Sequence, residues 1–182
     1  MKSNEFVTSD IHFGHKRILE LEGRPFDTVE EMDAFLVAAW NTKVPPNGTV
    51  YVLGDISFHN RAVTRWVLEQ LNGSLRIVRG GHDKGILRAL EERAEWVRDY
   101  YESKTDDGRK VVMFHYPLVV WEKAEQGAWM LHGHCHGNLP DEPIPRFDVG
   151  IDAHPTMQPF SYAEVATAMR GRKWRPVDHH GG

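Results

Sequence analysis

What most constrains this chain is how its short apolar runs end. Runs rich in β-branched and aromatic residues begin at Glu5 ("EFVTSD"), Thr49 ("TVYVLGD"), Ser74 ("SLRIVRGG"), Arg109 ("RKVVMFHYP"), Ala128 ("AWMLHGH") and Arg146 ("RFDVGID"), and each runs into an acid, a histidine or a glycine. Their length and composition read as strands. Between them, "GHKRILELEG" from Gly14, "TVEEMDAFLVAAWNTK" from Thr28 and "NRAVTRWVLEQLNG" from Asn60 read as helices, with His59 at the start of the last. Asp27 or Thr28 caps the second, and acids fill its first turn, where the helix dipole favours them. Such alternation defines an α/β chain with strands buried between helical layers. The second half holds more strand, so a mixed sheet or two packed sheets fits better than one doubly wound parallel sheet.

The polar residues at the strand ends are those a metal could use. They are Asp10 and His12 in "SDIH", Asp55 in "LGDIS", His82 and Asp83 in "GGHDK", His115 in "FHYP", and His134 and His136 in "HGHCH". In α/β sheets, sites form beyond the carboxyl ends of strands, so distant loops can meet there. On an extended strand, residues two apart share a face, which groups Asp10 with His12, and His132 with His134 and His136. Cys135 then points the other way and reads as packing. Gly54, Gly80, Gly81, Gly133 and Gly137 permit tight turns beside these side chains. Each residue alone has a plainer reading, Asp10 and Asp55 as caps and His115 as a satisfied core histidine. One shared site is the more economical account of all of them.

Composition sets the outer limits. A length of 182 residues fits one domain, over residues 1–176, with "VDHHGG" at 177–182 as a flexible tail. A net charge of -4 argues against general nucleic-acid binding, since Arg76, Arg79, Lys84 and Arg88 form only a small basic group. Met1–Asn4 carry no apolar leader, no later run approaches the roughly 20 apolar residues of a membrane span, and one cysteine rules out an internal disulfide framework. The expected location is the cytoplasm. Trp40, Trp66 and Trp96 read as core.

In order, "DIH", "GD", "GGHD", the histidine of "FHYP" and "GHCH" resemble the D-x-H, G-D, G-N-H-[DE], H and G-H-x-H motifs of the calcineurin-like metallophosphoesterases, and in particular their small prokaryotic and phage-type members. The resemblance spans residues 10–136. It implies a four-layer α/β/β/α sandwich of two mixed β-sheets flanked by helices. It also implies two divalent ions: one on Asp10, His12 and His136, the other on His115 and His134, with Asp55 bridging. Carboxylate and imidazole donors suit Mn²⁺, the favoured ion, as well as Fe, Zn²⁺ or Ni²⁺, and do not suit Ca²⁺. The implied activity is hydrolysis of a phosphate ester, a diester more than a monoester, by a metal-bridging hydroxide. Nucleotides and nucleic-acid ends are among the candidate substrates. His82 would assist the leaving group with Asp83 orienting its ring; Gly81, Arg24 and His15 fall at substrate-binding positions, although a loop arginine such as Arg24 is also commonly just exposed. The sequence departs from the pattern at Gly81, where the motif carries asparagine. That departure implies weaker occupancy of the second ion and slower turnover, or, as the alternative, a weakened metal-binding scaffold.

Overall fold

Alternation along each strand decides which layer a side chain enters. From the strand Thr49–Val52, Val50 and Val52 enter one apolar cluster, while Tyr51 and the following Leu53 enter another. The same division recurs at Leu75 and Ile77 against Val78, and at Phe6 against Val7. A computed structural model describes residues 1–174, so the tail expected at 177–182 lies outside the described residues.

Nine strands and five α-helices make up the described residues. The strands are β1 (Glu5–Thr8), β2 (Thr49–Val52), β3 (Ser74–Val78), β4 (Trp96–Arg98), β5 (Tyr101–Lys104), β6 (Lys110–Met113), β7 (Trp129–His132), β8 (Arg146–Asp148) and β9 (Phe160–Ser161). The helices are α1 (Ile18–Leu21), α2 (Val29–Lys43), α3 (Arg61–Glu69), α4 (Leu87–Arg93) and α5 (Tyr162–Ala168). One sheet has the order β4-β3-β2-β1-β9, parallel except for β9; the other has the order β5-β6-β7-β8, parallel except for β5. Val7, Tyr51, Leu53 and Val78 of the first meet Val111, Met113, Trp129 and Leu131 of the second in a shared core. Helices α2, α3 and α4 cover the opposite face of the first sheet through Met32, Leu36, Trp40, Val67, Leu68 and Leu90. The architecture is the expected α/β/β/α sandwich of two mixed sheets. On the outer face of the second sheet, Val112 and Met130 are covered by Trp121, Ala124 and Ala128 from the 115–128 segment. Among the described residues no helix is long and apolar enough to cross a membrane.

Several local expectations are corrected. The helix expected over "GHKRILELEG" is only the four residues of α1, because three-residue turns (His15 N–H to His12 O, Ile18 N–H to His15 O) occupy its start. Thr28 caps α2, its hydroxyl accepting from Glu31 N–H, and Asn60 rather than His59 caps α3 by accepting from Val63 N–H. His59 instead lies 2.6 Å from the Asp33 carboxylate. Trp40 is core, Trp96 is half-buried against Tyr101, and Trp66 is 62% exposed on α3. Helical spacing gives Trp66 a face but does not say that a partner covers it.

Candidate metal centre

The strands stop earlier than their apolar runs, and the polar residues beyond them adopt turns. Strand β1 ends at Thr8, yet Asp10 N–H donates to Gly54 O, His12 N–H to Asp55 O and Phe13 N–H to Ile56 O. Residues 10–13 therefore run alongside 54–56 without forming a regular strand. Asp10, His12, Asp55, His134 and His136 have φ of 56°, 57°, 54°, 70° and 49°. This left-handed region is uncommon for residues other than glycine, and holding a side chain there costs about 1–3 kcal/mol each. The alternation argument for Asp10 with His12 is thus corrected: left-handed turns, not strand pleat, bring them together.

Two groups result. In one, donor atoms of Asp10, His12 and His136 lie within 4.8 Å of one another; in the other, those of Asp55, His115 and His134 do the same. The groups are tied directly, since His134 N–H donates to Asp10 Oδ2 at 2.8 Å. Gly133 makes this approach possible, because a Cβ there would collide with Ser9 Oγ and Asp10 Oδ2. His132, expected on the same face as His134 and His136, is separated from both and sits with Cys135 and Asp148. Parity fails because β7 ends at His132 and the next four residues turn.

The donor atoms are poised for an ion. Asp10 Oδ1, both ring nitrogens of His12, and His115 Nε2 are buried with no hydrogen-bond partner. Unpaired buried polar atoms are expensive, and a cluster of them converging on one space needs an occupant. His115 Nε2 stands 3.5 Å from Asp55 Oδ2, and its Nδ1 donates to Leu53 O at 2.7 Å, which leaves Nε2 free as a ligand. His136 Nδ1 is likewise 2.7 Å from Asp152 Oδ2. The carboxylate and imidazole set fits a divalent transition ion.

Electrostatics separate the two acids. Burial pushes the Asp10 carboxyl up to about 6, against the pull of His136 and His115. Burial also opposes the charge on Asp55, but the adjacent His115 ring and the hydrogen bond from His82 N–H prevail and hold it at about 2. His12 is held down to about 3 by burial and then by His136. For His136 and His115 burial is outweighed by Asp152 and Asp55 respectively, so both are raised.

The remaining expected residues fall in different places. His82 is exposed, its N–H donating to Asp55 Oδ1 at 2.9 Å and its Nε2 3.9 Å from Asp55 Oδ2. Asp83 is fully buried and does not orient the His82 ring: Oδ2 accepts from Gly80 N–H (2.8 Å) and Asp55 N–H (3.1 Å), and Oδ1 from Ile56 N–H (2.9 Å). Arg24 is neither exposed nor free to hold a phosphate, being 5% exposed. It is committed to Asp152 through Nε and Nη2, both at 2.8 Å, and to Ile11 O and Asp10 O. His15 stacks on Phe58 at 3.9 Å beside His12. At Gly81 a Cβ would meet Tyr116 Oη at 3.0 Å, and the Tyr116 ring lies edge-on to His115 and His134. Sequence reasoning missed Asp152, Phe58 and Tyr116. Asp152 follows the apolar run "RFDVGID" much as Asp10 follows "EFVTSD", a pattern that could have flagged it.

Sandwich and triads together define a protein of two packed mixed sheets that carries two His/Asp groups able to coordinate divalent metal ions. No profile of a known protein family matches the chain. It is 36% identical over 139 residues to the uncharacterized protein MJ1445 of Methanocaldococcus jannaschii, covering 75% of this chain and 72% of that one. It is 30% identical over 167 residues to the Gene 66 protein of Mycobacterium phage L5, covering 75% and 79%. The chain belongs to the family that these two proteins represent. In three dimensions it resembles the protein of unknown function AQ665 from Aquifex aeolicus, with a TM-score of 0.71 at 21% identity over 90% of this chain and 97% of that one, a likeness of fold.

Proposed function

We propose that this chain is a dinuclear metal-dependent phosphoesterase acting on a phosphodiester. The observation that carries the reading is the pair of adjoining His/Asp groups in which Asp10 Oδ1, both His12 nitrogens and His115 Nε2 are buried without a hydrogen-bond partner. Asp10, His12 and His136 would hold one ion, His115 and His134 the other, and Asp55 both. When bound, such a pair supplies Lewis acidity that activates water and polarises the phosphate.

The chain's own residues divide the remaining work. Asp152 and Leu53 O fix the rings of His136 and His115 through their Nδ1 atoms, so that each presents Nε2. Arg24 holds Asp152 and the Asp10 backbone, and is a positioning residue. His82, exposed beside Asp55, is placed to give a proton to the leaving oxygen, the general-acid role histidine most often fills. Asp83 serves His82 indirectly, by joining the Gly80 turn to Asp55. The weakened-scaffold reading draws on the second group, where His134 is exposed and Gly81 contributes no side chain.

Hydrolysis of bis(p-nitrophenyl) phosphate with added Mn²⁺ tests the reading. Metal-dependent turnover that disappears in Asp55→Ala is the expected result. Two bound ions per chain without turnover of any phosphate ester would leave the scaffold reading in its place.

A further inference from the structure

The loop that delivers His134 and His136 also contributes Cys135 to a third donor group, separate from both metal groups. His132, Cys135 and Asp148 offer Nε2 or Nδ1, Sγ and a carboxylate oxygen, all within 4.8 Å of one another. His132 and Asp148 are register partners on the parallel strands β7 and β8, and the loop after β7 brings Cys135, three residues on, against them. We propose that these three residues form a separate binding site for a thiophilic divalent ion of the Zn²⁺ type.

Three features support the assignment. His132 is buried, and its Nδ1 lies 2.9 Å from Gly133 O; a carbonyl only accepts, so Nδ1 carries the proton and Nε2 is left as a lone-pair donor. Asp148 is held in place from behind, Oδ1 accepting from Gly150 N–H at 2.8 Å and Oδ2 from Gly137 N–H at 3.0 Å. Each oxygen keeps a second lone pair for a metal. His132 and Asp148 both border a cavity of about 150 Å³, which leaves room for a water as fourth ligand.

Charge and softness favour zinc. One neutral imidazole, one thiolate and one carboxylate neutralise a divalent ion, and a thiolate selects Zn²⁺ over Mn²⁺ or Mg²⁺. On binding, the S–H proton leaves to solvent as the sulfur–metal bond forms. The neighbouring Arg146 guanidinium is turned to Leu118 O and Glu142, which offsets its charge. An ion here would pin the loop 133–137, which carries His134 and His136, to β8. The site does not depend on the phosphoesterase reading.

Cys135 is the only cysteine of the sequence, which gives the test a clean signal. Metal-stripped full-length protein is titrated with Co²⁺ while the near-ultraviolet thiolate-to-cobalt charge-transfer band is followed. The band is expected in the wild type, is expected to persist in Asp55→Ala, and is expected to vanish in Cys135→Ser and weaken in His132→Ala. Its absence from the wild type at saturating Co²⁺ overturns the proposal. A second measurement avoids variants that fold poorly: Zn²⁺ should slow the reaction of the wild-type thiol with a disulfide reagent by about tenfold or more. An unchanged rate overturns the proposal equally.

Discussion

Asp83→Ala tests whether Asp83 is a tie between loops or a partner of the His82 ring. The carboxylate accepts three backbone N–H groups: Gly80 N–H at the half-buried edge, and Asp55 and Ile56 N–H in the interior. Water can reach the first once the side chain is gone, but the other two are stranded. A stranded buried donor costs about 1–3 kcal/mol, so the loss is about 4 kcal/mol in all. With a urea slope of about 2 kcal/mol/M, the unfolding midpoint should fall by about 2 M. Asp83→Asn keeps one accepting oxygen and should lose roughly half as much. Urea titration of metal-free wild type and both variants, followed by far-ultraviolet circular dichroism, measures this. A midpoint for Asp83→Ala indistinguishable from wild type, with only turnover reduced, would refute the tie.

Acidity and metal act together at Asp10 and His12. In the metal-free protein, Asp10 is raised from 3.8 to about 6, so its contribution to stability is full below about pH 4 and lost as pH rises through 6. His12 is lowered from 6.5 to about 3, so it costs nothing above pH 6.5 and destabilises progressively as pH falls toward 3. An ion needs Asp10 ionised and His12 neutral, so the gain in Tm from Mn²⁺ should grow between about pH 5 and about pH 7.5; a larger gain at the acid end contradicts the assignment. Gly81→Asn should raise affinity at the Asp55–His115–His134 group by about tenfold and speed turnover, once the exposed Tyr116 ring shifts from 3.0 Å; unchanged metal stoichiometry and unchanged rate would sink that reading. Arg24→Lys cannot reproduce the paired bonds to Asp152, and should weaken metal binding at the His136 group by about 10–100-fold in calorimetric titration.

The sandwich was legible because strand ends are marked by composition: "TVYVLGD" and "AWMLHGH" announce a buried run and its stop. Both triads could be grouped through the family resemblance and because acids and imidazoles recur at those stops. What could not be read is how residues beyond the strands are held. Alternation grouped His132 with His134 and His136, whereas the turn after β7 sends them to three different clusters. Arg24 looked like a loop arginine because its acceptors, Ile11 O, Asp10 O and Asp152, come from segments that meet only in the folded chain. Asp83 looked like a neighbour of His82 because adjacency is visible in a string and burial is not. Strands β4, β5 and β9 are two to four residues long, too short for a periodicity to show.

Five side chains of the two metal groups sit at positive φ, where glycine or asparagine would rest with less strain. The backbone has therefore been bent ahead of time, and an arriving cation finds its cage already shaped. A descendant released from the need for metal would relax by drifting toward glycine or asparagine at residues 10, 12, 55, 134 and 136, and would gain stability in doing so. A cation bound between these acids and imidazoles would offset the strain held at the five positions.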